Sequence, residues 1–346
     1  MKTDQMHLFT MAKHYFTVYL PKQKNVSSNT IKSYRESINL LLDFLCQHLD
    51  RPLGMLSLED MTPENVSLFL QWLQEERDCK GTTLNQRLSA IRAFLKYCGT
   101  KEPVLYNIYL SICSLPKQKI EKRLTVDHFS ESVLHEILAS PDPKKKTGHR
   151  DQFFMLLLYD TGARNQELLD LRIGDFSTNG QSPYVIIHGK GEKIRNVPVM
   201  KETMEHLSSY LKRFHEDSSK EDFLFYTVSH GIRHQMSDDN VARFIDKYAA
   251  LARKKCAEVP DNVTPHMFRH SRALHLYRAG VPLPLISEWL GHSNIETTLI
   301  YAYADTEMKR AAIEKATAQN HPIRNQELFD LSKLDKDTLK KLYGLK

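Results

Sequence analysis

Apolar residues recur along the first 115 positions at steps of three and four. Ile31, Tyr34, Ile38, Leu41, Leu42, Leu45 and Leu49 form one such stripe behind Ser27, Ser28 and Asn29, which predicts an amphipathic helix with N-cap candidates. Thr62-Pro63-Glu64 opens a second helix with Val66, Phe69, Leu70 and Leu73 on its apolar side, the proline suiting a first helical turn. A third stripe carries Leu84, Leu88, Ile91, Phe94 and Leu95 and is expected to stop at Gly99. A small N-terminal helical bundle over residues 1–115 is the expected result.

The pattern changes after residues 116–124. Phe153 to Tyr159 is almost wholly apolar and predicts a buried helix leading into Thr161-Gly162-Ala163-Arg164. Residues 183–188 and 193–199 read as strands, joined by a hairpin turn at Gly189-Lys190-Gly191-Glu192. Helical periodicity returns at 201–214, 237–256, 265–279 and 283–290. It is expected again from Asp305 to Thr317 and, after the His321-Pro322 break, from Asp335 to Tyr343. The fold class is therefore mainly α in two domains: the N-terminal bundle, and a C-terminal α+β domain over 125–317 with one small antiparallel sheet. The tail, 318–346, is either a packing element or a piece that docks on a neighbouring subunit. No internal repeat is evident.

Composition fits a polyanion partner. Forty-eight Lys and Arg face forty-two Asp and Glu over 346 residues, a net charge of +6. Arg87, Arg92 and Lys96 lie on the polar side of the third helix, while Lys32 and Arg35 begin the first; solvated faces commonly look like this. The segment Pro116 to Arg123 differs, since Lys117, Lys119, Lys122 and Arg123 are four basic residues among eight. Such a linker can lie along a phosphate backbone. Five widely spaced cysteines without C-x-x-C spacing suggest neither a disulfide framework nor a zinc site, and reduced thiols in a cytosol are expected. The N-terminus lacks the apolar core of a signal peptide, and no stretch is apolar for long enough to span a bilayer.

The candidate chemistry centres on Tyr301, nine residues after His292, with His266 and Arg269 upstream. A phenol is a poor nucleophile until neighbours remove its proton or stabilise the transition state. Breaking a phosphodiester without a metal also needs cations on the non-bridging oxygens and an acid for the leaving oxygen. Arg164 and Arg269 suit the first task, because a guanidinium is planar, always charged and bidentate toward phosphate. A metal-dependent nuclease or transposase would need clustered carboxylates, and no convincing acidic trio is present.

Five motifs in order, Thr161-Gly162-Ala163-Arg164 with Glu167, Gly189-Lys190-Gly191, His266 with Arg269-His270, Leu290-Gly291-His292-Ser293, and Tyr301, resemble the tyrosine recombinases, or phage-type integrases. The likeness spans about 140 residues, and the helical N-terminal half resembles the family's SAM-like core-binding domain. The resemblance implies that Tyr301 attacks the scissile phosphate to form a 3′-phosphotyrosyl link. Arg164 and Arg269 would hold the phosphate, Lys190 would protonate the departing 5′-oxygen, His266 would assist proton transfer and His292 would bond a non-bridging oxygen. Glu167 would orient these groups, and His270 is read as structural. Lys193, three residues from Lys190, is the competing acid, and Tyr303 the fallback nucleophile.

The resemblance further implies double-stranded DNA at a specific site as partner, a tetramer on two paired sites, a Holliday-junction intermediate, room for accessory DNA-bending proteins, and no cofactor or metal. The expected place of work is the cytoplasm, at the nucleoid. With no evident arm-binding domain before residue 6, a two-domain enzyme of the Xer or transposon-integrase kind is expected. A DNA-binding architectural protein of the same fold and a type IB topoisomerase-like nicking enzyme are the alternatives. Two places depart from the commoner family pattern: Ala163 replaces a bulky aliphatic residue, and Arg272 stands where an aromatic or small residue is usual. Arg272 is read as either a phosphate contact or a salt bridge.

Overall fold

The computed structural model describes residues 2–120, 126–177, 182–189, 193–292, 294–304, 310, 313–314 and 335–342. It divides into two compact units, Met1–Lys122 and Arg123–Lys346. No described helix is long and apolar enough to cross a membrane.

The first unit is helical. Helix α1 (Lys2–His14) continues as a π-helical stretch to Gln23, followed by α2 (Ser28–His48), α3 (Pro63–Glu75), α4 (Gly81–Lys101) and α5 (Tyr106–Cys113). Ser27 caps α2 by accepting from the Thr30 N–H, and Thr62 caps α3 by accepting from Asn65. The three apolar stripes meet in one core, where Ile38, Leu41, Leu45, Val66, Phe69, Leu73, Leu84, Leu88, Ile91 and Phe94 are buried. Removing each of these side chains from water contributes about 1.5–3 kcal/mol, which outweighs the helix propensities of the same segments.

Helix α4 does not stop at Gly99, as expected, but runs through it. A Cβ at that position would lie 2.8 Å from the Tyr106 ring and 2.9 Å from its Cα, so the glycine serves the close approach of α5.

The second unit begins with α6 (Glu131–Ala139), α7 (Lys146–Thr161) and α8 (Asn165–Leu169). Strands β1 (Phe176–Ser177), β2 (Tyr184–His188) and β3 (Ile194–Pro198) form an antiparallel sheet in that order, with Val185 opposite Val197 and Ile187 opposite Arg195. Helix α9 (Lys201–Phe214) is followed by a second antiparallel pair, β4 (Tyr226–Ser229) and β5 (Ile232–Gln235). That hairpin was not anticipated, since a single sheet was expected. Its turn, His230-Gly231, takes positive φ at both residues, 49° and 78°, the geometry of a tight two-residue hairpin.

Helices α10 (Asp238–Arg253), α11 (Pro265–Arg278), α12 (Leu283–Leu290) and α13 (Glu296–Ala304) follow, and a short helix covers Lys336–Leu342. Helix α7 is buried along most of its length, with Phe153, Phe154, Leu157 and Leu158 in the main core. A smaller cluster, Ala273, Leu274, Ile286, Leu290 and Tyr301, joins α11, α12 and α13. The helix expected from Asp305 to Thr317, and the tail up to 334, lie largely outside the described residues.

Candidate active site in the second unit

Two helices end on left-handed glycines that face each other across the site. Helix α7 closes at Gly162 (φ 60°) and α12 at Gly291 (φ 64°), and each frees carbonyls at its C-terminus. Arg269, on α11, is only 3% exposed and donates to both helix ends: Nη1 to the Gly162 carbonyl at 2.6 Å and Nη2 to the Leu290 carbonyl at 2.7 Å. Burial and the nearby Arg164 push its guanidinium down to about 10, which leaves it fully charged at neutral pH.

Arg164 precedes α8 as its N-cap residue. Glu167, one turn on, accepts the Arg164 backbone N–H at 2.8 Å and its Nη1 at 2.8 Å. The same buried carboxylate receives a bidentate fork from Arg195 on β3, with Nη2 to Oε2 at 2.6 Å and Nη1 to Oε1 at 3.2 Å. Burial alone would raise the Glu167 carboxyl. The bonds from Arg195, the Arg164 backbone N–H and the Arg164 side chain, together with the Arg195 charge, outweigh it and hold the group below the usual carboxylate range. Arg195 also donates through Nε to the Trp289 carbonyl at 3.0 Å, which ties the β2–β3 hairpin to the end of α12.

Three arginines against one carboxylate leave this cluster with an excess of two positive charges. Arg195 and Arg269 are largely buried and Arg164 is partly exposed, so the excess charge favours an anion beside the cluster. Arg164, Lys193, Arg195, Glu288, Gly291 and His292 line a cleft of about 490 Å³.

The histidines are held neutral. His292 Nδ1 lies 2.8 Å from the hydroxyl of buried Thr298, and burial together with Arg269 and Arg164 pushes the ring down to about 4. The Thr298 hydroxyl engages Nδ1 and leaves the other ring nitrogen of this cleft-lining residue available for a second hydrogen bond. His266 is exposed as a residue, yet partial desolvation of its ring and the charges of Arg269 and Arg164 also lower it. Tyr301 is fully buried, and its phenol is pushed up to about 12 by burial, with Arg269 opposing. Its hydroxyl lies 2.9 Å from His270 Nδ1.

The phage integrase family model matches residues 128–308, more than half of the chain, and the family's N-terminal SAM-like domain model matches 14–101. The chain belongs to the phage integrase family. Tyrosine recombinase XerC of Bacillus subtilis is 31% identical to it over 306 residues, 85% of this chain and 92% of that protein. Membership makes it a tyrosine site-specific recombinase. Among solved structures, the XerH recombinase in a post-cleavage complex with a palindromic difH substrate has a TM-score of 0.64 at 22% identity, covering 84% of this chain and 81% of that one. A lambda integrase tetramer bound to a Holliday junction has a TM-score of 0.61 at 16% identity, covering 86% and 77%. Both share the fold with this integrase.

Within this integrase, Arg164, Glu167, Arg269 and His292 converge on the cleft and its walls, with Tyr301 and His266 beside Arg269. Lys190, between β2 and β3 in the sequence, lies outside the described residues, as do Lys122 and Arg123. Lys193 stands at the cleft. Tyr303 is exposed. Arg272 forms a salt bridge with Asp160 at 3.0 Å and stacks between Tyr159 and Trp289, so it is a packing residue of the wall.

In the first unit Lys117 and Lys119 are exposed. Arg92, by contrast, is occupied with the carbonyls of Ile112, Cys113 and Leu115, where it closes the end of α5. Arg87 is held by Ser37 and Glu36. Two site residues escaped the sequence reading. Arg195 shares its face of β3 with the buried Val197, and nothing local marks its long-range pairing with Glu167. His270 was read as structural, and its contact with Tyr301 bridges 31 positions of sequence.

Proposed function

We propose that this integrase cuts and rejoins double-stranded DNA at a specific site through a covalent 3′-phosphotyrosyl intermediate on Tyr301. The observation that carries this reading is a cleft lined by Arg164 and His292, with Arg269 bonded to the ends of α7 and α12 and Tyr301 buried within reach of the Arg269 charge. The two guanidiniums take the non-bridging oxygens and stabilise the charge that grows on them in the transition state. His292, neutral and bonded to Thr298, donates its free N–H to one of those oxygens. Glu167 fixes the direction of Arg164, His266 assists proton transfer, and a lysine of the β2–β3 hairpin, Lys190 or Lys193, protonates the departing 5′-oxygen.

The phosphotyrosine conserves the energy of the broken bond, so a 5′-hydroxyl from a second strand reverses the step without ATP. Four copies on two paired sites, exchanging one strand of each duplex at a time, would pass through a Holliday junction. The lambda integrase tetramer on such a junction supports this assembly through shared fold. The reaction belongs where the DNA is, in the cytoplasm, and it serves integration and excision of a mobile element or resolution of chromosome dimers.

The test uses nicked duplexes that tile the DNA on both sides of the protein's own gene. The wild-type chain is expected to form a denaturation-resistant adduct that maps to Tyr301, while Tyr301→Phe retains DNA binding and forms none. An adduct in Tyr301→Phe refutes the assignment. Adduct formation without strand joining between duplexes would assign a nicking enzyme instead.

A further inference from the structure

Tyr301 Oη lies 2.9 Å from His270 Nδ1, and the two rings are 5.8 Å apart. The tyrosine is fully buried, so water does not compete for this contact. His270 follows Arg269 directly on α11 and comes one turn after His266, whose ring is 6.1 Å away. Both histidines, with Asp127 and Ile300, line a cavity of about 330 Å³ separate from the arginine-lined cleft. His270 therefore stands between the buried tyrosine and a cavity that the exposed His266 also lines.

A tyrosine attacks phosphorus only as its proton leaves, and a base must stand within about 2.6–3.2 Å of that proton's oxygen. Of the histidines on α11, His270 meets this requirement. Resting on the recombinase reading above, we propose that His270 is the proton acceptor for Tyr301, with Nδ1 accepting the hydroxyl's hydrogen bond before reaction and taking the proton during attack.

In that step the Oη–H bond breaks as Nδ1–H forms, and the Oη–P bond forms as P–O5′ breaks. The leaving oxygen takes its proton from the hairpin lysine. Rejoining reverses each transfer, so the incoming 5′-hydroxyl returns a proton to the lysine and His270 returns its own to the phenolate.

The surroundings also keep His270 a weak base in the DNA-free protein. Burial, His266, Arg269 and His128 push the His270 ring down to about 4, and only Asp127 opposes them. The groups facing His270 are therefore His266 and Arg269 from its own helix, Asp127 and His128 from the segment before α6, and Tyr301 from α13. Neutral and accepting, His270 is too weak a base to deprotonate the phenol while Arg269 is uncompensated. A DNA phosphate seated on Arg164 and Arg269 supplies the missing negative charge and raises the basicity of the ring. The substrate thus switches on its own nucleophile.

Two measurements decide the matter. Nitrogen-15 spectra of the imidazoles of the DNA-free protein are expected to show His270 Nδ1 without a proton between about pH 8 and 5, with its resonance displaced in Tyr301→Phe. A protonated Nδ1, or no displacement, overturns the proposal. On the nicked duplexes, His270→Asn keeps an acceptor oxygen but cannot carry a proton. It is expected to cleave at least about 10²-fold more slowly than wild type at unchanged DNA affinity, with the deficit shrinking toward pH 9 as hydroxide replaces the base. Wild-type cleavage by His270→Asn, alongside an inactive Tyr301→Phe, removes His270 from the chemistry and leaves the recombinase reading intact. No adduct from the wild-type chain overturns both.

Discussion

Glu167 does its work at the scale of single atoms. Its two carboxylate oxygens bind Arg164 and Arg195 together, and those bonds hold the carboxylate ionised against the cost of burial. Losing one partner of a buried ion pair costs about 3–5 kcal/mol, because the other charge is left without compensation. Arg195→Ala is accordingly expected to lower the unfolding midpoint and, by loosening Arg164, to slow cleavage on the order of ten- to a hundredfold. Arg195→Lys keeps the charge but not the fork, so it should recover stability better than rate. Single-turnover cleavage and thermal unfolding of the two variants check this, and wild-type cleavage by Arg195→Ala would show that Arg164 needs no such support. Arg164 and Glu167 could be read from the sequence because one helical turn separates them. Arg195 could not, because its partner lies 28 positions away across a hairpin.

The elements were legible where the pattern was long and regular. The stripes of α2, α3 and α9 to α12 follow from periodicity, and the starts of α2 and α3 from Ser27 and Thr62. Short or interrupted patterns misled. Gly99 was read as a helix end because glycine most often plays that part there, whereas its role is to let Tyr106 pack against α4. The β4–β5 hairpin escaped because His230-Gly231 is an uncommon turn pair and both strands are short and polar. Gly99→Ala sets two effects against each other. Helix propensity favours alanine by about 1 kcal/mol, while a Cβ 2.9 Å from the Tyr106 backbone forces α5 to shift at a cost of about 1–3 kcal/mol. Net destabilisation of the first unit is expected in urea unfolding, and a more stable variant would show that α5 yields without cost.

At the scale of the whole molecule, the half-buried His270 and His292 couple folding to pH. The rings of His270 and His292 are held near 4 in the folded chain against an ordinary 6.5, and Glu167 is held below 4.5. As the pH falls from about 6.5 to 4, the unfolded chain binds protons that the folded chain refuses, so stability declines. Below about 4.5 Glu167 adds to the same decline. Stability should therefore be at its highest near neutrality and drop by on the order of a few kcal/mol by about pH 4, with a shallower slope when His270 and His292 are both replaced by Asn. Urea unfolding across this range checks it, and a flat profile between about pH 7 and 5 would mean that both rings protonate freely in the folded state.

The sequence alone determined the mainly α fold and the ordered set of motifs from Thr161 to Tyr301, because helix periodicity and motif spacing are local properties of the chain. The tertiary structure decided what those residues touch. It put Arg269 between the ends of α7 and α12, gave Arg195 to Glu167 and Arg272 to Asp160, and turned Arg92 inward to close α5. It also set Tyr301 against His270. Each of these pairings joins positions from about 20 to more than 100 residues apart, and only the packing of helices brings such positions within the length of a hydrogen bond.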